Sequence, residues 1–147
     1  MTIRVTESIQ IDKLPAEVWE AIADYSFDLK WRGGLTEMTP DPPGGPAPGT
    51  RVHEVVEQSG RTYVADTQVT DLEPRISYRF KGSGTIGGLA GARYVQPATN
   101  GAGALFTYEV ELEPKGAMRL LRPVLRRMVR SNLKRDLRTL KSLLEGG

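Results

Sequence analysis

Seven apolar residues toward the C-terminus, Leu121, Leu125, Val129, Leu133, Leu137, Leu140 and Leu144, follow one another at intervals of 4, 4, 4, 4, 3 and 4. That spacing draws one apolar stripe along roughly six or seven turns of helix, drifting slowly round the axis. Met128 sits beside the stripe, while Arg127, Arg130, Lys134, Arg138 and Lys141 fall on the opposite side. A helix built this way needs an apolar surface of similar length to lie on. No second helix of that length can be read elsewhere, so a sheet must provide the surface.

The preceding residues read as that sheet. IRVTESIQI places Ile3, Val5, Ile9 and Ile11 at odd positions, the period-two pattern of a strand. Pro15 suits the first turn of a helix whose apolar residues are Val18, Trp19 and Ile22, and Asp24 to Trp31 reads as a second short helix or turn. LTEMT is expected to be a short edge strand, and the proline- and glycine-rich Thr39 to Thr50 a loop. RVHEVVEQ, RTYVADTQVTDL, RISYRFK, ARYVQ and ALFTYEVEL follow as strands separated by turn residues. Ile76, Tyr78 and Phe80 are expected to share one face, as are Phe106, Tyr108, Val110 and Leu112. Strands and helices are segregated along the chain, which makes the class α+β and the expected unit a single domain over residues 1–147.

Composition removes several functions. There is no cysteine and only one histidine, so disulfides, thiolate metal sites and a zinc centre are not expected. Ten of the 20 Lys and Arg lie from Lys115 onward although the net charge is only +2, so the basicity is local. No helix-turn-helix accompanies this basic helix, and its cations are spread rather than interleaved with aromatics. Nucleic acid is therefore not an expected partner. The N-terminus has no apolar h-region and no apolar run approaches the ~18 residues needed to cross a bilayer. The expectation is a cytoplasmic protein, monomer or homodimer, without stable membrane insertion.

Two motifs fail on context. GSGTIG, Gly82 to Gly87, matches G-x-G-x-x-G after a strand, yet no Asp or Glu occurs between Glu73 and Glu109 to hold a ribose. It reads as a flexible connection between strands. His53-Glu54-Val55-Val56-Glu57 resembles a zinc-protease motif but lies in a strand, where residues i and i+4 stand about 13 Å apart. No bound cofactor or metal is expected.

Three stretches together resemble the SRPBCC superfamily, the helix-grip fold shared by START lipid-transfer domains, the birch-pollen allergen family and the polyketide cyclase/dehydrase group. ESIQIDKLPAEVWEAIADYSFDLKW is similar to the family's opening, VTDLEPRISYRF to its strand turn, and GAMRLLRPVLRRMVRSNLKRDLRTLKSLLE to its terminal helix with an internal proline. The resemblance spans essentially the whole chain. It implies a curved, seven-stranded antiparallel sheet wrapped around the C-terminal helix, two short helices after the first strand, and an apolar cavity between sheet and helix. No catalytic motif is shared across the family, so it assigns no activity. The proline-rich loop and the small side chains of GSGTIGGLAGARY depart from its usual pattern.

The leading expectation is a binder of a lipid- or polyketide-like apolar molecule. Its candidate residues are Tyr63, Tyr78, Phe80, Tyr94, Phe106 and Tyr108 on the sheet, Trp31 near an entrance, and Leu121, Leu125, Met128 and Val129 on the helix. The alternative is a cyclase or dehydratase needing an acid or base inside the cavity, where desolvation lifts a carboxyl pKa. Glu54, His53 and Arg93 are its candidates. Alternation leaves open whether Val52, Glu54 and Val56 or His53, Val55 and Glu57 face inward, and whether Arg93 and Val95 or Tyr94 and Gln96 do.

Overall fold

The computed structural model describes residues 2–146. Strand β1 (Ile3–Ile11) leads into helices α1 (Pro15–Ile22) and α2 (Asp28–Trp31), and six strands follow: β2 (Leu35–Asp41), β3 (Arg51–Gln58), β4 (Arg61–Glu73), β5 (Ser77–Gly84), β6 (Gly87–Pro97) and β7 (Ala104–Pro114). A 3-10 helix, Gly116–Leu121, precedes the long helix α3 (Arg122–Gly146). The strands form one antiparallel sheet in the order β1-β7-β6-β5-β4-β3-β2. Successive hairpins build β2 to β7, and β7 returns to pair with β1 from Ile3 opposite Leu112 to Ile11 opposite Ala104. β1 and β2 therefore end on opposite edges, and α1 and α2 carry the chain between them.

The two short helices form where local chemistry favours them. Pro15 occupies the first turn of α1, where its missing N–H costs nothing, and Glu17 reaches back to accept the Leu14 N–H at 3.4 Å. Val18 and Ile22 are fully buried, and Trp19 meets Tyr78 edge-on at 6.2 Å. α1 packs on β6 and β7, while α2 sits between α3 and β2.

Pro123 fixes where α3 begins. Its ring is tolerated in a first turn but not in a helix interior, so the regular helix starts at Arg122. The leucine stripe is correspondingly shorter than the spacing predicts. Leu125, Leu133, Leu137 and Leu140 are buried and Val129 and Leu144 pack partly against the core, but Leu121 lies in the 3-10 helix and is exposed. α3 runs chiefly along β1 at one edge of the sheet.

Three further expectations change. Thr39, Pro40 and Asp41 continue β2, paired with His53, Val52 and Arg51, so only the residues after Asp41 form a loop. Pro40 is accommodated because β2 is an edge strand that can lose an N–H. Gly82 to Gly87 is no loose connection: Gly82 and Gly84 belong to β5. A Cβ at either would collide with the Asp66 or Val64 carbonyl of β4, so only glycine permits that approach. Ile76 precedes β5 and is exposed, apart from buried Tyr78.

Candidate functional site

A chain of alternating charges runs from the core to a cavity. Asp28, the first residue of α2, and Arg93 of β6 are almost wholly buried. Arg93 Nη1 and Nη2 donate to the two Asp28 carboxylate oxygens at 3.1 and 2.7 Å. Nη1 also donates to the carbonyl of Ile22 at the end of α1 (2.9 Å), and Nη2 to the Tyr108 hydroxyl (3.2 Å). The guanidinium carbon stands 4.5 Å from the centre of the Tyr108 ring and 5.0 Å from that of Trp31, a cation–π arrangement. Asp28 also accepts from Arg32 at 3.4 Å, and Arg32 donates to Glu54 of β3 at 2.7 Å. Two cations and two carboxylates thus alternate, which is how buried charge is made tolerable.

The environment keeps these groups in fixed states. Burial works against the charge on Arg93 and Arg32, but Asp28 beside the first and Glu54 beside the second outweigh it and hold both firmly protonated. Burial pushes the Tyr25 phenol up to about 12 and raises Tyr78 as well, so both remain neutral near the guanidinium. Among the described residues, Tyr25 Oη, Trp31 Nε1 and Arg93 Nε are buried without a hydrogen-bond partner. Tyr25 and Arg93 border a space of about 20 Å³ that Glu54, Tyr78 and Phe80 also line.

Beyond Glu54 the inner face opens into a cavity of about 170 Å³. β3 and β4 contribute Val56 and Tyr63, the β5–β6 turn contributes Ile86, and α3 contributes Met128 and Val129. Gly84 and Gly87 also lie in the wall, where a Cβ would meet the backbone of β4 or β7. Arg32 and Glu54 form the polar end. At the other, Gln58 and Asn132 exchange two amide hydrogen bonds, at 3.1 and 2.8 Å, and clasp the β3–β4 hairpin to α3.

Of the expected ligand contacts, this cavity gathers Tyr63, Met128 and Val129. Trp31 is not at an entrance. It lies in the core with Phe106 and Tyr108, edge-on at 6.3 and 6.2 Å. Tyr78, Phe80 and Tyr108 line the small inner space, and Leu125 is core. Tyr94 is turned to the outer face, where its hydroxyl accepts from Arg79 at 2.6 Å. Both open alternations resolve: Glu54 and Arg93 point inward. His53 points outward and binds Asp66 at 2.7 Å, a contact that raises its pKa, so His53 and Glu54 do not converge on one site. Sequence reasoning missed Arg32, Gln58 and Asn132. Asn132 lies three and four residues past Val129 and Met128, a helical spacing that marks the same face.

Asp136 ties α3 to the turn after α2 by accepting the Gly33 N–H at 3.0 Å. Burial raises its pKa, only partly offset by that N–H and by Arg135. With the folded value above the unfolded one, the ionised form is the one folding disfavours. The penalty is absent below the ordinary Asp value of about 3.9 and grows as pH rises through the raised value. Asp136→Asn keeps an acceptor for Gly33 without the charge. The variant is expected to lack this acid-range loss of stability and to melt at or above the wild-type temperature at neutral pH. Thermal melts of the two proteins from pH 4 to pH 7 check this.

A curved antiparallel sheet held against one long helix, with an apolar cavity between them, defines a helix-grip protein. The chain belongs to the family described as polyketide cyclase / dehydrase and lipid transport, which it matches over residues 2–145. Solved structures share the fold at low identity. The ZhuI aromatase/cyclase from Streptomyces sp. R1128 is 15% identical with a TM-score of 0.80, covering 99% of this chain and 94% of that one. Ara h 8.0201 is 14% identical with a TM-score of 0.74, covering all of both chains. The di-domain ARO/CYC StfQ of the steffimycin biosynthetic pathway is 11% identical with a TM-score of 0.79, covering 99% of this chain and 52% of that one. No curated protein matches the sequence significantly. No helix among the described residues is long and apolar enough to cross a membrane.

Proposed function

We propose that the protein binds a small apolar molecule in the cavity between β3–β7 and α3, with a polar atom of the ligand turned toward Arg32 and Glu54. One observation carries this reading: about 170 Å³ of space lined mainly by aliphatic side chains, with a charged pair at one end. A dry cavity of about 150 Å³ takes up benzene, so a single substituted aromatic ring is the natural size for this one. A longer polyketide- or lipid-like molecule enters by parting the Gln58–Asn132 clasp, which costs two amide hydrogen bonds.

Val129→Trp and Leu140→Trp test the proposal together. Val129 lines the cavity, whereas Leu140 is fully buried in solid packing. Tryptophan at 129 occupies the ligand's space, so it abolishes binding of apolar aromatics in fluorescence titration. It should cost less stability than the roughly 1–3 kcal/mol typical of overpacking a dense core. Tryptophan at 140 carries that full cost and leaves binding by the folded fraction intact. Equal destabilisation by both substitutions, with binding unchanged by Val129→Trp, rules the cavity out as the site.

A catalytic reading has one observation in its favour, the Glu54 carboxylate beside the cavity with Arg32 as its partner at 2.7 Å. Turnover of a polyketide substrate that disappears in Glu54→Gln, with ligand affinity retained, supports it. Equal turnover in that variant discards Glu54.

A further inference from the structure

We propose that the 3-10 helix and the first turns of α3 form a docking surface for anionic membranes. Leu120, Leu121 and Val124 are 84%, 42% and 62% exposed. Their spacing of three and four residues places them side by side on one short helical surface. Residues 115–135 contain eight Lys and Arg and no Asp or Glu. The sequence alone shows these cations as spread rather than interleaved with aromatics, and the fold sorts them. Arg130 faces Glu7 at 3.6 Å and Arg126 donates to the Arg4 carbonyl, so both are engaged on the β1 side. Lys115, Arg119, Arg122 and Arg127 make no ion pair among the described residues, although Glu113 lies in the same surface hollow as the first three. Four cations without an ion pair among the described residues therefore share this short stretch of chain with three exposed aliphatic side chains.

This combination fits a lipid surface better than a protein or RNA. Leucine at 84% exposure projects clear of its neighbours, the shape that enters an acyl layer. The patch carries no aromatic residue on which a base could stack, and the hollows beside it are lined chiefly by cations such as Arg119, Arg122, Arg126 and Arg127 rather than by the apolar side chains that would seat a peptide. The surrounding cations match anionic headgroups, each adding roughly fivefold in affinity near the surface. The surface also borders the cavity. The Lys115 N–H binds the carbonyl of cavity-lining Ile86 at 3.0 Å, and Met128 and Val129 lie one turn beyond Val124. Docking would bring the cavity against the phase in which apolar molecules dissolve. Docking does not require that the cavity bind anything, so the two proposals can fail separately.

Co-sedimentation of the whole protein with vesicles tests the surface, using phosphatidylcholine alone and phosphatidylcholine with one-third phosphatidylserine. The expected result is binding to the anionic vesicles only, weakened by high salt. Leu120→Ser/Val124→Ser should lower that affinity roughly tenfold and Arg119→Gln/Arg122→Gln by more than that. All four positions are exposed or border open solvent, so the melting temperature of both variants should match the wild type. Three results would overturn the proposal: no binding to anionic vesicles, binding unchanged in the Leu120/Val124 variant, or equally tight binding to polyglutamate or RNA at the same salt.

Discussion

Arg93→Met is expected to lower stability by about 3–5 kcal/mol, because it leaves the Asp28 carboxylate buried without its main partner. Against a total of about 5–15 kcal/mol for a domain, that brings the protein close to unfolding. Arg32 cannot replace the loss, since its contact with Asp28 is 3.4 Å and it already serves Glu54 at 2.7 Å. The double variant Arg93→Met/Asp28→Leu should recover most of the stability by removing both charges together. Urea denaturation of the three proteins measures the difference. A cost below about 1 kcal/mol for Arg93→Met would mean that the pair exchanges with water rather than sitting in the aromatic box of Trp31, Tyr78 and Tyr108.

Deleting Leu133 to Gly147 is expected to abolish folding, not merely ligand binding. The deletion removes the buried Leu133, Leu137 and Leu140 together with the Asp136 bond to Gly33. At about 2–5 kcal/mol for each leucine, the loss approaches or exceeds the stability of the whole domain. The apolar face of β1 and β7 is uncovered at the same time. The truncated chain should show no cooperative urea transition, and one that keeps such a transition contradicts the role given to α3.

The parts of the fold that were legible in the sequence are those set by a local repeat. Period-two alternation located the strands, and the spacing of leucines located α3. The repeat misled at Leu121, because the interval of four continues numerically across Pro123 while the helix does not. Alternation could not choose a face for β3 or β6, since each face held a polar residue. Arg93 goes inside only because Asp28, 65 residues away, meets it there, and no local pattern carries that pairing. The cavity was implied by the family resemblance, with Tyr63, Met128 and Val129 among its expected contacts, but no local pattern drew its outline. It is walled by residues of β3 to β7 on one side and by Met128, Val129 and Asn132 of α3 on the other. Aromatic residues were the natural candidates for a ligand site, yet Trp31 and Phe106 pack into the core. Of the aromatics, only Tyr63 reaches the cavity, and the other contacts come mostly from aliphatic and polar side chains.

The most direct measurement of the central claim is an NMR titration of the methyl-labelled protein with indole, a single apolar aromatic probe of suitable size. Saturable shifts should appear at the Met128 and Val129 methyls, while those of Leu140 stay in place. Absence of any saturable shift, or shifts confined to Leu120, Leu121 and Val124 on the exposed surface, would contradict a binding cavity between the sheet and α3.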